Sequence, residues 1–248
     1  MELIFGGKMQ YEEILNRLKS LSNPEAVAGM ARFGINPINT CGVSIPTLRK
    51  IARETGKDHT LAQELWSSGI HEARILASLI DVPEKVNEEQ MEKWVVDFDS
   101  WDVCDQCCSN LFDKTSLAYQ KAIEWSNRKE EFVKRAGFVM MATIAVHDKM
   151  AADKEFLKFL PRIKKESVDN RNFVRKAVNW ALRQIGKRNL NLNGIAIKTA
   201  KEILEIDSKT AKWVASNALA ELTNEKVQKR LRGRAEQSSY SPAGANPA

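Results

Sequence analysis

The feature that most restricts the fold is the spacing of apolar residues, which recur at intervals of three and four along nearly the whole chain. Strand-like alternation is scarce, and turn signals such as Asn36-Pro37 and Val82-Pro83 separate the periodic segments. The pattern predicts an all-α chain. The helices are predicted near residues 9–20, 24–33, 45–55, 58–68, 71–81, 88–97, 100–112, 116–126, 130–146, 152–165, 170–187, 191–205 and 208–231.

Several residues mark where these helices should begin or break. Ser44 followed by Pro46 is typical of a helix opening, and so is the pair Asp99-Ser100. Pro161 is expected to kink or end a helix, because it lacks a backbone N–H.

Pairs of predicted helices recur about every 35–45 residues without a repeated motif. That spacing is typical of an α-solenoid of HEAT-like helical hairpins, in which stacked repeats share a core and present a concave face. A compact helical bundle is the alternative. We expect a single HEAT-like helical repeat domain over 1–231. The remainder, 232–248, is rich in Ser, Pro, Gly and Ala, which predicts a disordered tail.

The composition excludes several classes of protein. No apolar run approaches the roughly 20 residues of a membrane-spanning helix, and the first residues lack the layout of a signal peptide. Three of the four cysteines lie within 104–108, which does not resemble a disulfide framework. There is no phosphate-binding glycine loop and no Ser/His/Asp constellation. We therefore expect a cytoplasmic monomer without a cofactor.

The charge is unevenly distributed. Residues 1–100 carry 11 Lys/Arg and 15 Asp/Glu, residues 101–159 carry 9 of each, and residues 160–235 carry 18 against 7. The formal net charge of +6 therefore conceals a C-terminal third with a net charge of +11. Such asymmetry indicates a polyanionic partner, most simply nucleic acid, although a solvated basic face is the alternative.

The segment 173–188 carries a tryptophan on its basic face. Val174, Ala177, Val178, Ala181, Leu182 and Ile185 form its apolar stripe. Trp180 lies nearly opposite that stripe and shares its face with Lys176, Arg183 and Lys187. The tryptophan could pack against a neighbouring repeat or be half-exposed. The functional interpretation is an aromatic platform flanked by cations that bind phosphate.

The segment FDSWDVCDQCCSNLF, 98–112, has two stripes. Val103, Cys104, Cys107 and Leu111 form the core stripe, and Trp101, Asp105, Cys108 and Phe112 form the second. Trp101 and Asp105 should therefore project from one side, one turn apart. Either the helix is buried on both sides, or the second stripe lines a cleft where an indole and a carboxylate favour a developing cation.

Other candidate residues have simpler alternatives. Arg135 stands near the start of an apolar helix, where it either bonds carbonyls or Asp105, or meets a phosphate. Cys104-x-x-Cys107 lacks nearby further ligands, so we expect no metal site there and interpret the cysteines as small buried side chains. The remaining tryptophans should belong to the core: Trp66, Trp94, Trp125 and Trp213.

Three motifs occur in order: W-D-x-x-D from Trp101 to Asp105, R-A at Arg135, and F-V-x-K-A-x-x-W-x-L-R from 173 to 183. Together with CGVSIPTLRKIA at 41–52 and HEARILASLI at 71–80, they resemble the DNA alkylation repair family of AlkD-type alkylpurine DNA glycosylases. The resemblance covers about residues 10–230.

The resemblance implies a HEAT-like solenoid whose basic concave face holds double-stranded DNA. It implies excision of cationic N3- and N7-alkylated purines. Asp105 would be the catalytic carboxylate, Trp101 and Trp180 would lie against the sugar and backbone of the lesion, and Arg135 and Arg183 would contact the DNA backbone. Lys176 and Lys187 share the Trp180 face and are predicted to bind DNA with them.

Two other functions stay open. Some relatives share the scaffold without excising bases, so a non-catalytic protein that recognises distorted or branched DNA is the alternative. A protein-interaction scaffold would explain the helices but not the basic face around Trp180. The enzyme hypothesis predicts that Trp101, Asp105, Arg135 and Trp180 converge on one concave surface.

Overall fold

The computed structural model describes residues 9–240, with side chains over 9–237. Helices and short turns make up this range, and no strand occurs within it. The predicted all-α class is therefore confirmed. The chain divides into two compact units, with the boundary between Ala118 and Tyr119. The expected single domain over 1–231 stays a prediction.

Over residues 9–118 the first unit contains seven α-helices and two short 3-10 turns. The α-helices are α1 Tyr11–Ser20, α2 Pro24–Arg32, α3 Ile45–Thr55, α4 His59–Ser67, α5 His71–Ile80, α6 Glu88–Val96 and α7 Trp101–Asn110; the turns are Pro83–Lys85 and Phe112–Lys114.

Two helices of this unit begin where they were predicted, and each has a side-chain cap. Asn23 precedes α2 and accepts a hydrogen bond from the backbone N–H of Ala26 at 3.0 Å. Ser44 caps α3 in the same way through Thr47. Side-chain oxygens at these positions satisfy N–H groups that have no partner within the helix. The prediction of helix starts at these two places is confirmed.

An aromatic cluster fills the core of the first unit. The indole rings of Trp66 and Trp94 stack with centroids 3.9 Å apart and an interplanar angle of 5°. Phe98 lies edge-on to Trp66, and Phe112 lies 6.2 Å from Trp94. Such rings bury large apolar areas and adopt defined relative orientations. This cluster fixes α4 and α6 against the end of α7, which carries the first candidate site residues.

The second unit, as described up to residue 240, contains eight α-helices, the first of which begins at the boundary. They are α8 Ala118–Ser126, α9 Glu131–His147, α10 Asp153–Leu157, α11 Leu160–Glu166, α12 Asn172–Gly186, α13 Leu190–Leu204, α14 Lys209–Leu222 and α15 Glu225–Tyr240.

The helix α9 is central to this unit, as its apolar sequence predicts. All its residues from Arg135 to Ala145 are buried, and it packs along α12. Gly137 lies where α8 and α9 approach closely, since a Cβ there would be 2.3 Å from the backbone nitrogen of Ser126. Only glycine fits that contact. The long packing surface with α12 positions the helix that carries Trp180.

Two predicted helices are each divided in the structure. The predicted helix over 152–165 is two short helices, α10 and α11, and Pro161 lies in the first turn of α11, where its missing N–H costs nothing. The predicted helix over 208–231 breaks between α14 and α15. There the Asn224 side chain accepts the backbone N–H of Lys226 at 3.0 Å, which restarts the chain as a helix.

The disordered tail expected from residue 232 does not begin there. The helix α15 continues to Tyr240, because the Arg, Ala, Glu and Gln residues over 232–237 favour helix. The rest of the predicted tail, 241–248, lies outside the described residues. Among the helices that the structure describes, none has the length and apolar character to cross a membrane.

Candidate active site

The predicted site residues divide between the two units. Trp101 and Asp105 belong to the first unit. The second unit contains the others, which are Arg135, Lys176, Trp180, Arg183 and Lys187. Convergence of the two groups on one surface stays a prediction, and each group has its own local geometry.

The indole of Trp101 is held in a fixed orientation at the start of α7. Its Nε1–H donates to the carbonyl oxygen of Phe33 at 3.1 Å. Ser100 is the N-cap residue, as expected, but its hydroxyl oxygen accepts the backbone N–H of Asn36 at 2.9 Å and does not cap its own helix. Asn36 also donates from its side chain to Asp99 at 2.8 Å. The segment 33–36 therefore orients the tryptophan ring.

Asp105 lies one turn after Trp101 on α7, and both side chains are partly exposed. The carboxylate is close enough to act on a buried neighbour. Burial raises the pKa of the Cys108 thiol well above its usual value. A hydrogen bond between the Cys108 and Cys104 side chains and the charge of Asp105 raise this pKa further. An indole and a partly exposed carboxylate one turn apart thus form the predicted pair.

The second stripe of α7 is exposed only in its first half. Cys108 and Phe112 are fully buried, which corrects the expectation of one continuous stripe from 101 to 112. Cys108 lies within the α-helix beside the equally buried Cys107, so α7 is buried on both of its stripes at that turn. Phe112 leaves the stripe because the α-helix ends at Asn110, and Leu111, with φ and ψ of −131° and −63°, turns the chain into the 3-10 segment Phe112–Lys114. The 100° periodicity does not apply beyond that point.

The cysteines of α7 are structural. Cys104, Cys107 and Cys108 are fully buried, and burial raises the pKa of the Cys107 and Cys108 thiols. A thiol with a raised pKa stays protonated and is a poor nucleophile and metal ligand. Within residues 9–237 no group of three His, Cys, Asp or Glu side chains is placed to hold a metal ion.

Asp102, the other carboxylate of the W-D-x-x-D motif, has a partner that the sequence did not reveal. It accepts a hydrogen bond from Nε2 of the buried His71 at 2.9 Å. Burial lowers the pKa of His71, but the hydrogen bond and charge of Asp102 outweigh burial and leave the pKa raised above its usual value. Asp102 therefore joins α7 to α5.

Glu72 is a second buried group of this unit that was missed. Its carboxylate is fully buried and accepts the backbone N–H groups of Cys41, Gly42 and Val43 at 2.8, 2.6 and 3.2 Å. Charge-assisted hydrogen bonds of this kind are strong. They fix the far end of the loop between α2 and α3, whose near end orients Trp101. The available signal was the single acidic residue within the mostly apolar segment 71–80.

The basic stripe of α12 has the predicted layout in the second unit. Trp180 is partly exposed and Lys176 is exposed, and neither forms a hydrogen bond or ion pair with the residues that the structure describes. Arg183 and Lys187 follow on the same face, with 29% and 18% of their side chains exposed. A flat indole thus lies between a free cation and two further cations.

Glu221 of α14 partly neutralises this stripe. Its carboxylate accepts from Nη1 of Arg183 at 2.5 Å and pairs closely with Nζ of Lys187. Burial raises the pKa of Glu221, but the two cations outweigh burial and lower it below its usual value. A DNA phosphate that contacts Arg183 or Lys187 must therefore compete with a protein carboxylate.

Arg135 is buried, with 6% of the residue exposed, and donates from Nη1 to the carbonyl oxygen of Phe173 at 2.6 Å. This contact corresponds to the first of its predicted alternatives, a buried arginine bonded to a carbonyl. Because Phe173 lies in the first turn of α12, Arg135 fixes the start of the helix that carries Trp180. Its direct contact with DNA stays a prediction.

Three of the four tryptophans expected in the core are there, and one is not. Trp66, Trp94 and Trp125 are buried. Trp213 is only partly buried, and the guanidinium of Arg175 lies over its ring at 5.1 Å. This cation–π contact explains why the ring tolerates exposure.

Fold and side chains together define a class: an all-α helical repeat protein with an indole–carboxylate pair on one helix and a basic, tryptophan-bearing stripe on another. The family described as DNA alkylation repair enzyme matches residues 14–222. The chain belongs to that family, and the resemblance found in the sequence is confirmed.

Two bacterial relatives and one solved structure extend the comparison. Protein Lin0241 of Listeria innocua is 26% identical over 197 residues, and protein Lmo0209 of Listeria monocytogenes is 24% identical over the same length; both matches cover 78% of this chain and 86% of the relative. The structure belongs to "a new family of proteins related to the HEAT-like repeat DNA glycosylases with affinity for branched DNA structures". It is 20% identical, covers 91% of this chain and 96% of its own, and has a TM-score of 0.73. The HEAT-like repeat fold is thereby confirmed.

Proposed function

We propose that this protein is a monofunctional DNA glycosylase that excises cationic N3- and N7-alkylated purines from double-stranded DNA. Membership of the DNA alkylation repair enzyme family supports the general role. The observation that carries the specific proposal is on α7, where the partly exposed carboxylate of Asp105 lies one turn from an indole held by the Phe33 carbonyl.

The chemistry of the proposed substrate requires little from the protein. Alkylation at N3 or N7 places a positive charge on the purine and makes it a good leaving group. Cleavage of the glycosidic bond leaves an oxocarbenium-like sugar, which a nearby carboxylate stabilises by its charge. Asp105 would supply that charge and orient the attacking water, and Trp101 would exclude bulk water from one side of the sugar.

The product would be an abasic site in an intact strand. Strand cleavage by a glycosylase requires an amine that attacks the sugar, and the proposed mechanism assigns that role to no residue: its catalytic groups are Asp105, Trp101 and Trp180. These residues stabilise a cation and form no covalent bond to the substrate.

The second unit would supply DNA binding. Trp180 offers an aromatic face to the sugar and backbone, and Lys176 offers a cation that no described carboxylate neutralises. Arg183 and Lys187 would contact phosphates after releasing Glu221. Arg135 would contribute by holding the start of α12 through the Phe173 carbonyl.

The direct test is to incubate the protein with duplex DNA that contains one N7-methylguanine and to measure the released base. The proposal predicts release well above the spontaneous rate, followed by strand cleavage only after alkali treatment. An undamaged duplex of the same sequence is the control. Cleavage without alkali would contradict the monofunctional mechanism, and release at the spontaneous rate would contradict excision itself.

A non-catalytic DNA-binding function is the second candidate. It is favoured by the solved relative described as having affinity for branched DNA structures. If this function is the correct one, the protein will bind a four-way junction more tightly than a duplex of equal length and will release no alkylated base.

A further inference from the structure

A cavity of about 500 Å³ opens in the second unit near the ends of α9 and α12 and beside α15. Its lining is strongly basic. Five of the lining side chains are cations: Lys149, Lys187, Arg188, Arg230 and Arg234. Among the residues that the structure describes, the lining contains one carboxylate, Asp153, and no aromatic side chain. A cavity of this size and charge suits a small anionic group.

Asp153 neutralises only part of this positive charge, since one lining carboxylate faces five lining cations. Its two carboxylate oxygens accept hydrogen bonds from the side-chain amides of Asn189 and Asn191, each at 2.7 Å. Lys187 shares Glu221 with Arg183, as described above. The cations therefore outnumber the carboxylates that face them.

Arg188 forms a rigid base for the cavity. Its Nη1 donates to the carbonyl oxygens of Ala145 and Asp148 at 2.8 and 2.7 Å, and its guanidinium lies 4.0 Å over the ring of Phe156. Its Nε is buried and has no hydrogen-bond partner in the structure. A buried donor without a partner is unfavourable unless a ligand or water satisfies it.

Arg230 and Arg234 lie one turn apart on α15, and both are exposed. Neither forms a hydrogen bond or ion pair with any side chain or backbone group that the structure describes. Two like charges at this helical spacing repel each other. An anion placed between them would remove the repulsion. Phosphate suits this position, because each guanidinium can donate two parallel hydrogen bonds to phosphate oxygens.

We propose that this cavity binds a phosphate monoester. A monoester carries close to two negative charges at neutral pH, whereas the diester within a DNA strand carries one, so the excess of cations favours the monoester. The group could come from the 5′-phosphate of a DNA strand end or from a free nucleoside monophosphate. Without an aromatic platform in the lining, the base contributes little and the phosphate dominates recognition.

This site goes beyond base excision and does not depend on it. Arg230 and Arg234 play no part in the proposed excision chemistry, and Asp105 lies in the other unit. The site can therefore exist whether or not the protein excises alkylated purines.

The test compares two short single-stranded oligothymidylates that differ only in a 5′-phosphate or a 5′-hydroxyl, each labelled at its 3′ end. Fluorescence anisotropy gives the dissociation constants. The wild-type protein should bind the phosphorylated strand about tenfold more tightly, as expected for one charge-assisted hydrogen-bonding group. Thymidine monophosphate should compete in either case, because it carries the same monoester. Competition with an affinity equal to that of the phosphorylated strand would assign the site to free nucleotides, competition at least about tenfold weaker would assign it to strand ends, and no competition would overturn the proposal.

A matched pair of double variants separates the cavity from the general charge of α15. Arg230→Ala with Arg234→Ala should abolish the preference for the 5′-phosphate. Lys229→Ala with Arg232→Ala removes the same charge from exposed positions of the same helix that do not line the cavity, and should keep the preference. Equal affinity of wild type for both strands, or equal losses in both double variants, would overturn the proposal. Both double variants should release N7-methylguanine at the wild-type rate. A failure of the phosphate site can therefore be distinguished from a failure of the proposed excision activity.

Discussion

The carboxylate of Glu221 should restrain DNA binding, and its removal should strengthen it. In the structure Glu221 binds both Arg183 and Lys187, two of the four residues that we expect to contact DNA. Glu221→Gln keeps the size of the side chain and a hydrogen-bond acceptor but removes the negative charge. The two cations then become available to phosphates without competition.

The size of the effect follows from the exposure of the three groups. Their side chains are 18–29% exposed, so solvent screens the pairs and each contributes about 0.5–1 kcal/mol. Releasing both pairs for phosphate contact should therefore raise duplex affinity by roughly 5- to 30-fold at low salt. The slope of log affinity against log salt concentration should steepen by about one to two, because more counterions are released from the DNA.

Fluorescence anisotropy with a labelled duplex between about 50 and 200 mM salt measures both quantities. Glu205→Gln is the control. It removes the same charge from an exposed position just after α13. It should change affinity by no more than about twofold. Unchanged affinity and slope in Glu221→Gln would refute phosphate contact by Arg183 and Lys187, and an equal gain in the control would reduce the effect to net charge.

Three further predictions concern other parts of the molecule. Trp180→Ala should weaken both duplex binding and excision, by about fivefold or more in affinity, because it removes an aromatic contact surface; unchanged anisotropy titrations would contradict that role. The pKa of His71 is raised in the folded state, so the stability from its pair with Asp102 is fully present below about pH 6 and is lost as pH rises through the raised pKa. The free energy of unfolding in urea should therefore fall over this pH range in wild type and not in His71→Gln. Gly137→Ala should destabilise the protein by about 1–3 kcal/mol or more, since the new Cβ meets backbone at 2.3 Å; Gly194→Ala, in open space on α13, should stabilise it by up to about 1 kcal/mol, and equal melting temperatures would contradict the close contact.

The sequence was sufficient for the helices and their buried faces. The apolar stripe of α12, for example, is buried from Val174 to Ile185 as its periodicity requires. The same reasoning placed Trp101 and Asp105 on one side of α7 and Trp180 among cations on α12. These inferences succeed because they depend only on the geometry of a single helix.

Contacts between distant segments could not be predicted. Glu221 is 38 residues from Arg183, and Phe33 is 68 residues from Trp101, so no local spacing joins them. Helix ends were also missed where the backbone changes conformation. The turn at Leu111 buries Phe112, although the helical period places that residue beside Trp101.

The central claim is that the charge of Asp105 stabilises the sugar cation during excision. The measurement that tests it most directly is the single-turnover rate of N7-methylguanine release, corrected for spontaneous loss, in Asp105→Asn and in Asp102→Asn. Both variants remove one carboxylate charge from α7, and Asp102 serves as the control because it accepts a hydrogen bond from His71 on α5. We expect Asp105→Asn to lower the rate by about 10²–10³ with little change in DNA affinity, and Asp102→Asn to stay close to wild type. Wild-type rates in Asp105→Asn, or equal losses in the two variants, would contradict the account.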